Sequence, residues 1–170
     1  MHTPTFIINE LENNQAIFKS LFSQQTEAAH RWRPQPGKWN LLEIICHLYD
    51  EELDDFRYRT GHLLEHPEKP MPSIDPEGWV LSRNYADQQY EERLKTFLDE
   101  RTNSLNWLRS LEDPKWENHY IHPEFGKVSA ALFLNNWLAH DYLHIRQILR
   151  LKYAYLEEVG GEALEYARGW

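Results

Sequence analysis

Residues 137–148 read WLAHDYLHIRQI and lie in the longest proline-free part of the chain, residues 124–170. The segment from about 128 to 151 is apolar on most sides, and its apolar residues recur at helical spacing. This pattern predicts a helix that is more buried than any other in the molecule. The rest of the fold is expected to pack around it.

Prolines divide the remainder of the chain. Because proline breaks a helix interior, each long proline-free stretch is a candidate helix. The four such stretches are residues 5–33, 37–66, 77–113 and 124–170. Strand signals are weak, and the four prolines within residues 66–82 mark a loose connection that suits a crossover between non-adjacent helices. The sequence therefore predicts an all-α four-helix bundle, with a short final helix over residues 162–168.

Length, composition and charge narrow the class of protein. With 170 residues, 41% hydrophobic and 26% charged, the chain fits one globular domain over residues 1–170. A net charge of −9 argues against a nucleic-acid partner. No apolar run approaches the roughly 20 residues of a membrane span, and no signal-peptide pattern is present. The single cysteine, Cys46, suits a reducing compartment, so we expect a cytoplasmic protein without a membrane partner.

Two histidines, His140 and His144, lie four residues apart in the fourth segment. This spacing sets both imidazoles on one helical face, with Cβ atoms about 5–6 Å apart, where they can bind one ion. The face should point into the bundle, and buried imidazoles need partners for their ring nitrogens. A shared metal ion would meet part of that need, although such a pair also arises by chance.

The second segment supplies a candidate third ligand in LLEIICHLYDEE, residues 41–52. His47 lies inside an amphipathic helix that Asn40 is predicted to cap, with Glu43 at the third helical position. Three histidines plus water form a ligand set used by catalytic metal sites with an open position. Glu51 follows His47 on the same face, and its carboxylate could be a fourth ligand, orient a ligand or serve as a general base.

Other chemical groups receive structural interpretations. His62 and His66 repeat the four-residue spacing, but they precede Pro67, where they suit a solvated cap at a helix C-terminus. Glu27 and His30 form one Glu-x-x-His motif. A di-iron bundle needs a second such motif, which the sequence lacks. We interpret Cys46 as a small core residue.

Three stretches of the sequence together resemble one known family. They are RPQPGKWNLLEIICHLYDEE (33–52), FGKVSAALFLNNW (125–137) and AHDYLHIRQI (139–148). In these motifs and their order, the chain resembles the DinB/YfiT-like superfamily of metal-dependent bundle proteins, with one histidine on the second helix and a His-x-x-x-His pair on the fourth. The likeness runs over roughly residues 5–152.

The resemblance implies an up-down-down-up bundle, often a homodimer, in which His47, His140 and His144 hold a divalent ion such as zinc or nickel. It implies a small-molecule substrate and S-transfer from a low-molecular-weight thiol such as bacillithiol or mycothiol. A metal with an open position can stabilise a thiolate, but it can also generate hydroxide, so hydrolysis is the alternative. A further alternative is a non-enzymatic stress-response binding protein in which the histidines are structural.

Overall fold

The computed structural model describes residues 3–161 and 164–167. These residues form a mostly helical bundle, which confirms the predicted fold class. In chain order the elements are α1 (Pro4–Phe22), α2 (Glu27–Arg31), α3 (Leu41–Asp50), a π-helical segment (Glu51–Arg57), α4 (Tyr58–Glu65), α5 (Trp79–Ser82), a 3-10 turn (Tyr85–Asp87), α6 (Tyr90–Ser110), β1 (His119–His122), β2 (Gly126–Ser129), α7 (Ala130–Gly160) and a second 3-10 turn (Glu165–Ala167).

Local side-chain caps set where the helices that carry the histidines begin. Asn40 accepts a hydrogen bond from the backbone N–H of Glu43, and the Glu43 carboxylate accepts one from the N–H of Asn40. This reciprocal pair is a capping box, as the sequence predicts. At the start of α7, the Ser129 hydroxyl accepts from the N–H of Leu132. Both caps satisfy amides that the first helical turn leaves without partners.

The second long helix is continuous but not uniformly α-helical. After α3, seven residues over Glu51–Arg57 wind as a π-helix before α4 resumes the ordinary pitch. A π-helix has more residues per turn, so side chains after Asp50 are rotated from the positions that α-helical spacing predicts. Glu51 and Glu52 are consequently both buried although they are adjacent in sequence. Periodicity alone does not reveal this segment.

The four long helices are not arranged in sequence order. α1 packs against α6 and α7, while α3 packs chiefly against α6 and α4 packs against α7. The first and second helices of the bundle therefore lie diagonally opposite each other. The long connection over residues 66–89 joins the second helix to the third, as the predicted crossover requires. Buried Trp79 and Tyr85 anchor this connection to the core.

A small β-hairpin is the main departure from the all-α prediction. His119–His122 pairs antiparallel with Gly126–Ser129, immediately before α7. The sequence gives only a weak strand signal here, because strands of four residues are too short to show a clear two-residue alternation. Gly126, the first residue of β2, follows the turn at φ +69°, a conformation that glycine adopts without steric cost. His119 and His122 therefore lie at the two ends of strand β1.

The end of the chain also differs from expectation. α7 continues to Gly160, nine residues past the predicted end at about 151, and stops where Gly161 adopts φ +65°. Of the predicted final helix over residues 162–168, Glu165–Ala167 forms a 3-10 turn, and positions 162, 163 and 168 lie outside the described residues. Although α7 has 31 residues, no helix among the described residues is long and apolar enough to cross a membrane.

A layer of buried polar residues separates two apolar clusters. One cluster includes Phe18 of α1 and Phe97 of α6, and the other includes Leu11 and Leu105 of the same two helices. Each long helix of the bundle contributes a residue to this layer, at a position between its members of the two clusters. These four residues are Asn14, Glu52, Arg101 and Asp141. On α7, His140 precedes the layer residue Asp141 and His144 follows it. On the second long helix, His47 precedes the layer residue Glu52, whereas α4 follows it.

Candidate metal centre

The structure brings the three predicted histidines together. His47 lies in the last turn of α3, and His140 and His144 face it from successive turns of α7. His140 Nε2 is 3.0 Å from His144 Nε2 and 3.3 Å from His47 Nε2. One ligand atom from each ring lies within 4.8 Å of those of the other two. Three imidazole nitrogens from two helices therefore converge on one small volume.

Burial keeps these imidazoles neutral. It lowers the pKa of His47 to about 3, with a further contribution from His144. Burial, followed by the two neighbouring histidines, lowers the pKa of His140 to about 2, and burial also lowers the pKa of His144. Desolvation disfavours the charged form of a histidine, and so does a second positive charge nearby. All three rings therefore carry a lone pair near neutral pH, which is the form that ligates metal.

The hydrogen bonds around the centre leave nitrogen atoms without partners. His144 Nδ1 lies 2.7 Å from Gln147 Oε1, an oxygen that can only accept, so Nδ1 carries the proton and Nε2 has a lone pair. His140 Nε2 can donate one proton, to His144 or to His47, and cannot serve both. His47 Nδ1 is buried with no hydrogen-bond partner. Three neutral imidazoles therefore cannot provide hydrogen-bond partners for all of their own ring nitrogens.

A divalent cation fits this set of donors. Imidazole nitrogens bind zinc at about 2.0–2.1 Å, so two of them at ligand angles of about 90–110° lie about 2.9–3.4 Å apart. The separations of 3.0 and 3.3 Å fall within that range. The hydrogen bond from His144 to Gln147 is the kind that fixes the tautomer of a metal ligand. Donor type, spacing and tautomer thus agree with one divalent ion held by His47, His140 and His144.

Aromatic side chains enclose the three rings. Trp39 stacks on His144 with ring centroids 6.5 Å apart and an angle of 4° between the planes. The same indole lies 4.7 Å from His47, and the Phe56 ring lies 5.0 Å from His140. These rings restrict the rotamers of the histidines and reduce their access to water. The histidine rings are consequently held in place by packing.

Glu51 is buried, but it is not part of the three-histidine group. Its carboxyl group hydrogen-bonds to Asp55, which in turn lies 2.6 Å from the guanidinium Nε of Arg59. Burial, followed by the negative charge of Asp55, raises the pKa of Glu51 to about 9, and burial raises the pKa of Asp55 as well. This carboxyl pair holds a proton near neutral pH. The catalytic role of Glu51 stays a prediction.

Beside the histidines lies a second polar group that the sequence analysis missed. Arg101 is 1% exposed and bonds to the carboxylates of both Glu52 and Asp141. The sequence does contain a signal for this group, because Arg101 occupies a helical position between Leu94 and Leu105 on the apolar stripe of α6. A charged residue at such a position is expected to be buried and paired.

The remaining candidates have structural roles. His62 Nε2 lies 3.1 Å from the carbonyl of Lys69, and His30 stacks on Tyr90 at 4.2 Å. Burial raises the pKa of the Cys46 thiol to about 12, which agrees with its interpretation as a core residue. Across residues 3–161 and 164–167, the three histidines are the one group of three or more His, Cys, Asp or Glu residues with ligand atoms close enough to share an ion.

Fold and site together define the class: a four-helix bundle with a buried three-histidine centre of the kind that binds a divalent metal. The chain belongs to the DinB superfamily, whose family model matches residues 10–148. In structure it is similar to YfiT from Bacillus subtilis, described as a probable metal-dependent hydrolase with an unusual four-helix bundle topology. That match has a TM-score of 0.76 at 18% identity and covers 94% of this chain and 89% of YfiT. No curated protein matches the sequence significantly.

Proposed function

We propose that this protein is an enzyme that depends on one divalent metal ion and acts on a small molecule. The observation that carries the proposal is the convergence of three neutral imidazole nitrogens that cannot satisfy one another. A metal held by three histidines supplies Lewis-acid polarisation of the substrate and activation of the attacking water or thiol. Zinc or nickel is the proposed ion, since imidazole ligands suit both and bind them more tightly than manganese.

The chain's own residues would fix the ion and prepare the site. His47, His140 and His144 supply the lone pairs, and Gln147 holds His144 in the tautomer that directs Nε2 toward the other two rings. Trp39 and Phe56 exclude water from the rings on either side. Exclusion of water strengthens the electrostatic effect of a bound cation on its substrate.

Hydrolysis is the reaction class that we propose first. Support comes from the description of YfiT and from the carboxyl pair of Glu51 and Asp55. Asp55 lines a cavity of about 530 Å³ together with Phe56, whose ring contacts His140. Because the pair retains a proton near neutral pH, it can donate that proton to a leaving group. The pair would then deliver its proton through Asp55, which lines the cavity, and Glu51 would hold that proton in the resting enzyme.

Thiol S-transfer is the second candidate function. The resemblance to thiol-using relatives within the family supports it, and so does the room for an exogenous ligand at a centre with three protein donors. Cys46 cannot supply the sulfur, because it is 2% exposed and its pKa is raised to about 12. The thiol would therefore be a separate low-molecular-weight co-substrate.

The metal content of untagged protein tests the proposed centre. We expect about one divalent ion per chain in the wild type and in His62→Ala, the matched control from outside the centre. His47→Ala and His140→Ala should each lose that ion while circular dichroism shows that the bundle remains folded. The proposal would be refuted if His140→Ala kept its full metal content. It would also be refuted if the wild-type protein bound neither zinc nor nickel.

Activity with and without added thiol then separates the two reactions. Hydrolysis predicts that the metal-loaded protein cleaves esters or amides in thiol-free buffer. S-transfer predicts consumption of free thiol in step with an electrophile, and no turnover when the thiol is omitted. The His140→Ala variant is the negative control for both assays, since residual turnover there would come from a contaminant.

A further inference from the structure

A surface pocket of about 670 Å³ adjoins the histidine centre. Its walls are the segment that precedes α3 and the middle of α7. His144 and Trp39 belong both to the lining of this pocket and to the histidine centre. Gln147, the hydrogen-bond partner of His144, lines it too. A molecule in the pocket would thus lie directly beside one of the three proposed ligands.

The pocket carries positive charge in a strongly acidic protein. Lys38, Arg146 and Arg150 line it, and none of its lining residues is acidic. The chain as a whole has 27 acidic and 18 basic residues. A net charge of −9 repels anions on average, so an anion would be bound only where cations are concentrated locally.

Within the part of the chain that the structure describes, these cations lack partners. Every other arginine in the described residues forms a hydrogen bond or an ion pair, whereas the structure gives none for the guanidinium groups of Arg146 and Arg150 over residues 3–161 and 164–167. The two are four residues apart on α7, so they face the same side. Like charges at that spacing destabilise a helix. An anion bound between them would remove the repulsion.

We infer that this pocket binds an anionic group, a carboxylate or a phosphate, of the small molecule on which the histidine centre acts. The inference rests on the proposed function for the identity of that molecule as substrate. The planar guanidinium fork matches both oxyanions with paired N–H donors. Trp39, Leu143 and Leu151 offer apolar surface to the uncharged part of the same molecule. The pocket would therefore select anionic substrates and place their reactive part toward His144.

Matched probes test the charge preference directly. The probes are 3-phenylpropionate, phenyl phosphate and the neutral 3-phenylpropionamide, titrated by calorimetry into metal-free protein so that direct ligation by a metal cannot contribute. We expect each anion to bind at least about tenfold more tightly than the amide, since hydrogen bonds to charged groups are among the stronger ones. The preference should shrink as salt is raised, because salt screens the charges.

Substitution of the basic residues that line the pocket tests whether the pocket is responsible for the preference for anionic over neutral probes. The double variant Arg146→Gln/Arg150→Gln should bind acid and amide equally, and Lys38→Gln should reduce the preference without altering a helix. The control Lys95→Gln/Arg109→Gln removes two positive charges from α6 and should keep the wild-type preference. Glutamine is a good helix former at these exposed positions, and circular dichroism verifies that each variant is folded.

Two outcomes overturn the inference: equal binding of acid and amide by the wild type, or a preference that survives in Arg146→Gln/Arg150→Gln. Neither depends on the metal. Protein that binds one zinc ion but shows no charge preference would refute the pocket and leave the metal centre standing. Protein that prefers the anions but binds no metal would support the pocket as a binding site and refute the proposed enzyme.

Discussion

Two groups of buried polar side chains lie side by side in this bundle, and they differ in how completely their atoms are paired. Arg101 has five N–H donors, and its three nitrogens bond to Glu52, Asp141 and the carbonyl of Leu11 at 2.7–3.2 Å. The two carboxylates accept further hydrogen bonds, from Trp137 to Glu52 and from Asn14 to Asp141. The histidine centre, by contrast, has three convergent imidazole nitrogens that cannot all be paired with one another, and His47 Nδ1 has no hydrogen-bond partner.

The comparison distinguishes buried polar side chains that stabilise the fold, as around Arg101, from those that are available to a ligand, as in the histidine centre. A saturated network has nothing left to offer a ligand, and its charges are fixed because every alternative would leave one of them unpaired. Unsatisfied donors or acceptors cost free energy in the folded protein unless a ligand completes them. Since Asp141 directly follows His140 in sequence, the saturated network also holds the backbone that positions one of the histidines.

The largest effect is expected when the saturated network is broken. Arg101→Met would leave the carboxylates of Glu52 and Asp141 buried without their cation. We expect a loss of about 3–5 kcal/mol in the free energy of unfolding, measured by denaturant titration. Arg109→Met is the control, because Arg109 pairs with Glu12 on the exposed surface, and it should change little. If the two variants are equally stable, the network does not organise the core.

Adding metal should raise the free energy of unfolding through the histidine centre, whereas breaking the Arg101 network lowers it. At a free zinc concentration 100 times Kd, binding to the folded state alone raises the free energy of unfolding by about 2.7 kcal/mol. Thermal unfolding with and without zinc measures this gain, which should vanish in His140→Ala and persist in His62→Ala. A gain that survives in His140→Ala would place the bound zinc elsewhere and remove the contrast between the two groups.

The part of the centre that the sequence predicts is the part set by regular helical spacing. His140 and His144 face one direction because α7 is regular there, and His47 follows a capped, regular α3. The family resemblance placed the two helices against each other, which spacing alone does not do. Glu51 lies in the π-helical segment, where α-helical spacing no longer holds, and its pairing with Asp55 is not visible in the sequence.

Other features depend on contacts that are distant in sequence. The bonds of Arg101 join residues 40 to 90 positions apart, so no local pattern specifies its partners. The hairpin before α7 has strands too short to predict, and it is stabilised by pairing rather than by propensity. The basic pocket combines Lys38 with residues of α7 more than 100 positions later, so its charge is concentrated only in the folded chain.

A smaller effect is expected from the hydrogen bond behind the metal ligand. Gln147→Leu removes the acceptor for His144 Nδ1–H and frees the ring to change tautomer. Loss of such a partner weakens metal binding by about 10- to 100-fold, or about 1.4–2.7 kcal/mol, which a competitive chelator titration can measure. Gln147→Glu retains an acceptor and should restore affinity. Equal weakening in both variants would mean that the side chain acts through packing alone.

The smallest effect is expected at the carboxyl pair, and it has a defined dependence on pH. The folded protein raises the pKa of Glu51 from 4.5 to about 9, so its contribution to stability is present below pH 4.5 and is lost as pH rises through about 9. Glu51→Gln keeps a donor for Asp55 and removes that loss. We therefore expect the variant to be more stable than wild type by about 1 kcal/mol at pH 8, with a smaller difference at pH 5.

Denaturant unfolding of Glu51→Gln and wild type at both pH values measures this difference. Glu65→Gln, at an exposed position of α4, is the matched control and should show no such trend. If Glu51→Gln is more stable than wild type at pH 8, the carboxyl pair resembles the histidines, because the fold then holds both in a protonation state that lowers stability. An unchanged or lower stability at pH 8 would show that Glu51 is ionised in the folded protein. The pair would then resemble the saturated network around Arg101, and Glu51 could not hold the proton for hydrolysis.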